Sequence, residues 1–175
     1  AREAIVDEIL NMLNYQVGHC VHWSDIPPDK RGNVLHSFMF MKDKTKPDGT
    51  YDKTKGRMVV NGANQKDHMY DMISSSTVSL TSVFLLMNIA SSHKCILASY
   101  DVKGAFLNAK FEKSDEVTYI RIGKEVAEIW VHLDPTAAAF LNPKGELLLQ
   151  LDKFVYGLKQ APYKFQQHLN TVLLE

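Results

Sequence analysis

With 175 residues, of which 45% are hydrophobic, the chain is long enough to bury a core and too apolar to be disordered. Twenty Lys and Arg balance twenty Asp and Glu, so no overall basic excess announces a nucleic-acid binder, and any such function has to come from where the charges lie. Cys20 and Cys95 are too few and too far apart for a disulfide framework. Neither a secretory leader nor an apolar run of about eighteen residues is present, which argues against export and membrane spanning.

Residues 1–15 place Ile5, Ile9, Met12 and Leu13 at helical spacing, with Glu3, Asp7 and Glu8 available to the opposite face. His19-Cys20-Val21-His22 lacks a second ligand pair at zinc spacing and is not read as a metal site. Pro27 to Gly32 is a turn or linker. Val34 to Met41 reads as a strand, Pro47-Asp48-Gly49 as a turn and Arg57 to Val60 as the returning strand. The hairpin tip is basic, with Lys42, Lys44, Lys46, Lys53, Lys55 and Arg57 against Asp43, Asp48 and Asp52. Residues 61–76 are polar and irregular, and include Gln65, Lys66 and Asp67. From Thr77 to Ser92 the stripe Leu80, Phe84, Met87 and Ala90 predicts a buried helix capped by Ser76 or Thr77, its apolar face part of the core.

Cys95 to Tyr100 then reads as a buried strand, apolar on both sides, and Asp101 stands at its end. Two roles are open to this carboxylate: cap of a short helix starting near Lys103, or metal ligand in a cleft beyond the sheet. Gly104 and Ala105 leave room for a ligand to approach the backbone, and Phe106 can wall a pocket. Val117 to Ile122 is β-rich, 123–145 suggests a short helix and then a turn, and Leu147 to Leu151 is a further strand. Phe154 to Pro162 joins a glycine loop to a proline at a helix start, and Phe165, Leu169, Val172 and Leu173 continue at helical spacing. The alternation of helices and hairpins gives an α+β fold.

Asp101 to Asn108, reading Asp-Val-Lys-Gly-Ala-Phe-Leu-Asn, and Tyr156 to Pro162, reading Tyr-Gly-Leu-Lys-Gln-Ala-Pro, together resemble the reverse transcriptase of Ty1/copia-type retrotransposons. The resemblance implies the fingers and the first part of the palm of a right-hand polymerase, with residues 1–94 as N-terminal helix and fingers and residues 95–175 as partial palm. The 123–145 segment is longer than the family's usual connection. Asp101 would be the first catalytic aspartate and, with the Val102 carbonyl, a ligand of two Mg2+ or Mn2+ ions. Arg57 would hold the incoming triphosphate together with Lys42, Lys44 being a close competitor, since a guanidinium fork and a mobile ammonium suit phosphate oxygens. Lys103, Gly104 and Ala105 would cradle the triphosphate through their amides. Phe106 would lie under the sugar and exclude a 2′-hydroxyl, Tyr156 and Gly157 would floor the new base pair, and Lys159 and Gln160 would border nucleotide and template.

The same resemblance implies deoxynucleoside triphosphates and a primed RNA or DNA template as partners, neighbouring parts of a retroelement polyprotein, and a cytoplasmic virus-like particle or nuclear location. The Tyr-x-Asp-Asp hairpin that completes such a site has no counterpart in the sequence. The chain is therefore expected to be a piece cut before that hairpin, inactive as a polymerase by itself. The alternative is a degenerate or domesticated relic that binds nucleic acid without catalysis.

Overall fold

A computed structural model describes residues 2–65 and 74–174. Its elements are α1 (Arg2–Asn14), β1 (Gly18–Cys20), β2 (Leu35–Thr45), β3 (Tyr51–Val60), α2 (Leu80–Ser92), α3 (Ala105–Asn108), β4 (Tyr119–Ile122), α4 (Lys124–Leu133), β5 (Leu147–Leu151) and α5 (Ala161–Leu174). Helices and strands mix around one five-stranded sheet of order β1-β5-β4-β2-β3. All its pairings are antiparallel except β2 with β4, where Leu35 and His36 lie beside Ile120 and Arg121.

Strand alternation makes the two faces of this sheet unlike. One face carries Leu35, Met58, Val60, Ile120, Ile122, Leu147, Leu149 and Leu151, and buries them against Ile9 and Met12 of α1 and against Ala127 and Trp130 of α4. The opposite face is covered only in part. There Val21 and Ile26 pack on Tyr119 and Leu148, so β5 is buried on both sides, as its run of four leucines in five residues requires.

Most of the expected elements form where the pattern puts them. The 123–145 segment becomes α4, a 3-10 helix at Pro135–Phe140 and a turn closed by the Gly145 amide on the Asn142 carbonyl. Three expectations are corrected. Gly18–Cys20, inside the His-Cys-Val-His stretch, is an edge strand on β5, with His19 Nδ1 2.9 Å from Asp152. The helix expected from Thr77 starts at Leu80 and is capped by the Ser79 hydroxyl, which accepts from the Ser82 amide at 3.1 Å. Its stripe is not core. Leu80, Phe84 and Met87 are exposed and only Ala90 is buried, because the helix is apolar all round and periodicity in such a sequence does not say which side is covered.

The strand expected over 95–100 does not form, and Ile96 and Tyr100 are almost fully exposed. A strand needs an edge to join. The outer edge of β3 is already taken, since its Met58 amide donates to Glu8 and its Val60 amide to the Tyr156 carbonyl. Asp101 is not a helix cap either: α3 begins after Gly104, whose backbone is left-handed at φ 60°.

Trp130 is the largest side chain sealed in the core, and its indole N–H has no acceptor among the described residues. Trp130→Ala is therefore expected to cost about 3–5 kcal/mol of unfolding free energy in urea titration. Trp130→Phe, which removes the orphan donor along with part of the volume, should cost less than half of that.

Candidate nucleotide-binding hollow

The hairpin supplies the charge. Its register pairs Phe40 with Arg57, Lys42 with Lys55 and Lys44 with Lys53, so six side chains share one face and five of them are cationic. The nearby carboxylates are engaged locally. Asp43 accepts from the Thr54 hydroxyl at 2.6 Å, and Asp48 accepts both the hydroxyl and the amide of Thr50, which holds its carboxyl below the usual range. Gly49, at φ 83°, lets the turn close.

A hollow of about 440 Å³ opens beside this face, between α1, the β3 edge and the 103–104 loop. Lys44, Lys53, Lys55, Arg57 and Lys103 line it with Gly104 and Tyr156, and α1 contributes Asp7 and Glu8. Five expected residues thus meet in one place: Lys44, Arg57, Lys103, Gly104 and Tyr156. Lys42 lies on the same face over a shallower depression lined by Phe40, Lys44, Lys55 and Arg57.

The loop after Asp101 is held by its carbonyls. Tyr15 Oη donates to the Lys103 oxygen at 3.1 Å, and Asn108 Nδ2 donates to Lys103 at 3.2 Å and to Gly104 at 3.1 Å. Ala105 and Phe106 open α3, where the Phe106 ring meets Tyr156 edge-on at 5.1 Å and Phe165 at 6.1 Å. The Arg57 guanidinium lies 5.4 Å from the centre of the Tyr156 ring, which ties the hairpin to the second motif. Burial raises the pKa of the Tyr156 phenol; Arg57 opposes the rise, and Glu8, Tyr15 and Asp101 add to it. Asp101 therefore lies near enough to Tyr156 for its charge to be felt there, although Asp101 and Val102 are exposed and do not line the hollow.

Gly157, at φ 95°, packs its Cα against the Val60 carbonyl so closely that no side chain fits. Lys159 and Gln160 are turned to a different task. The Lys159 amide donates to Gln65 Oε1 at 2.8 Å and its ammonium to the Gln65 carbonyl at 2.7 Å, while Gln65 Nε2 donates to Gln160 Oε1 at 3.1 Å. Gln65 and Gln160 are both buried. Of the polar residues noted beside Gln65, Lys66 and Asp67 lie outside the described residues.

Pattern reading missed Glu8, Tyr15 and Asn108. Glu8 looks like the wet side of an amphipathic helix, and no local signal shows that β3 will need an acceptor there. Lys53 and Lys55 were visible in the basic tip, but their place opposite Lys44 and Lys42 follows only from the register.

This arrangement suits a polyphosphate: several ammonium groups and one guanidinium around a pocket of nucleotide size. It does not by itself suit a pair of divalent ions. Asp101 and the Val102 carbonyl offer one carboxylate and one backbone oxygen, and among the described residues no three His, Cys, Asp or Glu side chains gather to hold a metal. Among the described residues, too, no helix is long and apolar enough to cross a membrane.

Residues 22–175 match the family described as reverse transcriptase (RNA-dependent DNA polymerase). The chain is similar to the retrovirus-related Pol polyprotein from transposon RE2 of Arabidopsis thaliana, 27% identical over 99% of this chain and 11% of the relative. It is also similar to the Pol polyprotein from transposon TNT 1-94 of Nicotiana tabacum, 27% identical over 74% of this chain and 9% of the relative. The corresponding polyprotein from transposon RE1 of Arabidopsis thaliana is 25% identical over 93% of this chain and 10% of its own length. The chain thus spans about a tenth of the curated relatives it matches. No solved structure matches.

The Glu8 carboxyl, buried behind the hollow, accepts the Met58 amide at 3.0 Å. Burial raises its pKa above 4.5, against the lowering by that hydrogen bond, Lys55 and Arg57. The folded state therefore binds the proton more tightly than the unfolded chain does. The resulting stability is fully present below pH 4.5 and is lost as pH rises through the raised pKa. Glu8→Gln keeps the acceptor and is expected to flatten this slope in denaturation curves taken from pH 4 upward. Glu8→Ala orphans the Met58 amide and should cost about 1–3 kcal/mol at every pH.

Proposed function

Because the chain belongs to the reverse transcriptase (RNA-dependent DNA polymerase) family, on the Ty1/copia side of it, we propose that it forms the nucleotide-gripping part of a retrotransposon polymerase that extends a primer with deoxynucleotides. The observation that carries this reading is the convergence of Arg57, Lys44, Lys103, Gly104 and Tyr156 on one hollow from three distant parts of the sequence. In this reading residues 1–94 act as fingers and residues 95–175 as part of the palm.

Phosphoryl transfer asks little covalent chemistry of a protein and much positioning and charge stabilisation. Arg57 and Lys44 or Lys42 hold the triphosphate from the hairpin side. The backbone at Lys103 to Ala105 faces it from the other, kept in shape by Tyr15 and Asn108. Phe106 lies next to Tyr156 where a sugar would rest on the two rings, and its bulk discriminates against a 2′-hydroxyl. Asp101 is the carboxylate closest to the chemistry. A two-ion centre needs acidic side chains beyond those described here, so catalysis is assigned to the whole polyprotein enzyme and not to this chain alone. Lys159 and Gln160 act on the template side through the position of Gln65.

Primer extension by the complete Pol protein on a homopolymeric template tests the reading. Asp101→Asn should lower kcat on the order of a hundredfold or more; extension at the original rate would remove Asp101 from the mechanism. Arg57→Ala should lower kcat/KM for every deoxynucleotide by about 10–150-fold, the loss of one charge-assisted phosphate contact. Phe106→Val should raise relative use of ribonucleotides by about tenfold or more.

A further inference from the structure

The face of the sheet opposite the core is only half covered, and what it leaves open is chemically specific. Beyond the point where Val21 and Ile26 sit on Tyr119 and Leu148, β2 presents His36, Phe38, Phe40 and Lys42 in a row on that side. Phe38 and Phe40 each keep 51% of their surface in water. Alternate residues on a strand stand about 6.6 Å apart, so the two rings form a short ladder with Val59 and Arg57 as their cross-strand partners.

At the start of the row lies a second aromatic site. Trp23 is 42% exposed, and two guanidiniums approach its ring, Arg31 at 5.7 Å and Arg121 at 5.9 Å from the centroid. Arg31 is anchored by its Nε on the Ile26 carbonyl at 3.0 Å and its Nη2 on the Ser24 carbonyl at 3.4 Å. Arg121 stands beside His36 in the β2–β4 register, has Glu146 3.9 Å away and keeps a buried Nε with no partner among the described residues. The basic hairpin face continues the row at the other end.

We propose that this face binds single-stranded nucleic acid, with bases laid on Trp23, Phe38 and Phe40 and phosphates turned toward Arg31, Arg121 and Lys42. Charge and shape both select that partner. Exposed rings set singly among cations suit unpaired bases, whose faces are free to stack, and not a duplex, whose bases are already stacked on each other. A protein partner would call for a contiguous apolar patch, and here charged and polar groups separate the rings. The face adjoins the hollow through Phe40 and Arg57. In assigning the bound strand to the unpaired template, the proposal rests on the function given above.

The test uses the purified 175-residue chain and labelled oligo(U) and oligo(dT) of about twenty nucleotides, with a duplex of equal length as comparison, read by fluorescence anisotropy. The two single strands should bind more tightly than the duplex, and whichever of them binds better identifies RNA or DNA as the preferred strand. Phe38→Leu with Phe40→Leu, which keeps apolar bulk and removes the rings, should weaken single-strand binding about 10–100-fold. Trp23→Leu should weaken it about fivefold or more and abolish the quenching of tryptophan fluorescence that accompanies binding. Arg31→Ala should lower the slope of log affinity against log salt by about 0.7. Circular dichroism confirms that each variant keeps its fold.

Equal affinity for duplex and single strands, or ring-free variants that bind as the parent does, would overturn the proposal. Loss of binding in those variants, combined with normal primer extension by Asp101→Asn in the complete Pol protein, would keep this surface and reject the polymerase assignment. The opposite pair of results would reject this surface alone.

Discussion

The outer edge of β3 is the constraint around which the rest of the structure is arranged. The amides of Met58 and Val60 point away from β2, and each needs an acceptor that the sheet does not supply. Glu8 meets one from α1 and the Tyr156 carbonyl meets the other from the second motif. These two hydrogen bonds decide where the N-terminal helix and the glycine loop sit. They also close an edge that would otherwise invite another strand. The hollow is a by-product of this closure: it is the space left where α1 and the motif loop reach β3 from two directions. Its cost is a buried carboxyl, offset in part by Lys55 and Arg57, the same cations that give the hollow its chemistry.

The parts legible in the sequence are those in which a local pattern has one physical solution. Leu147 to Leu151 is an apolar run bounded by turn residues, and it forms a strand over those five positions. The basic hairpin announces itself by two β-rich runs around Pro47-Asp48-Gly49, and both strands extend several residues past the apolar pattern because cross-strand pairing continues once the turn is set. The two motifs were conspicuous as motifs. That they would share one hollow followed only from the resemblance, since 48 intervening residues (109–155 and the turn to Tyr156) carry no local sign of their meeting.

What could not be read depends on tertiary context. An apolar helix such as Leu80–Ser92 has no polar side to mark its wet face, and a run such as 95–100 needs both a free edge and covers on two faces before it can be a strand. Glu8 and Gln65 are polar residues whose burial follows from backbone groups far away in sequence. The aromatic row on β2 was read as ordinary strand composition, because alternation says that two faces differ and does not say which one stays open.

Gly157 and Gly62 carry a mechanical consequence. Their backbones meet those of Val60 and of each other without room for a methyl group, so the hairpin base and the motif loop are locked together as one body. Farther out, β2 pairs with β4 only at Leu35 and His36, and the ribbon from Met41 to Tyr51 has no third strand beside it. A two-stranded ribbon fixed at one end behaves as a lever. At about 3.3 Å per residue, a bend of about ten degrees near Phe40 swings the cationic tip by roughly 3 Å, enough to admit or grasp an anion while the floor of the hollow stays still.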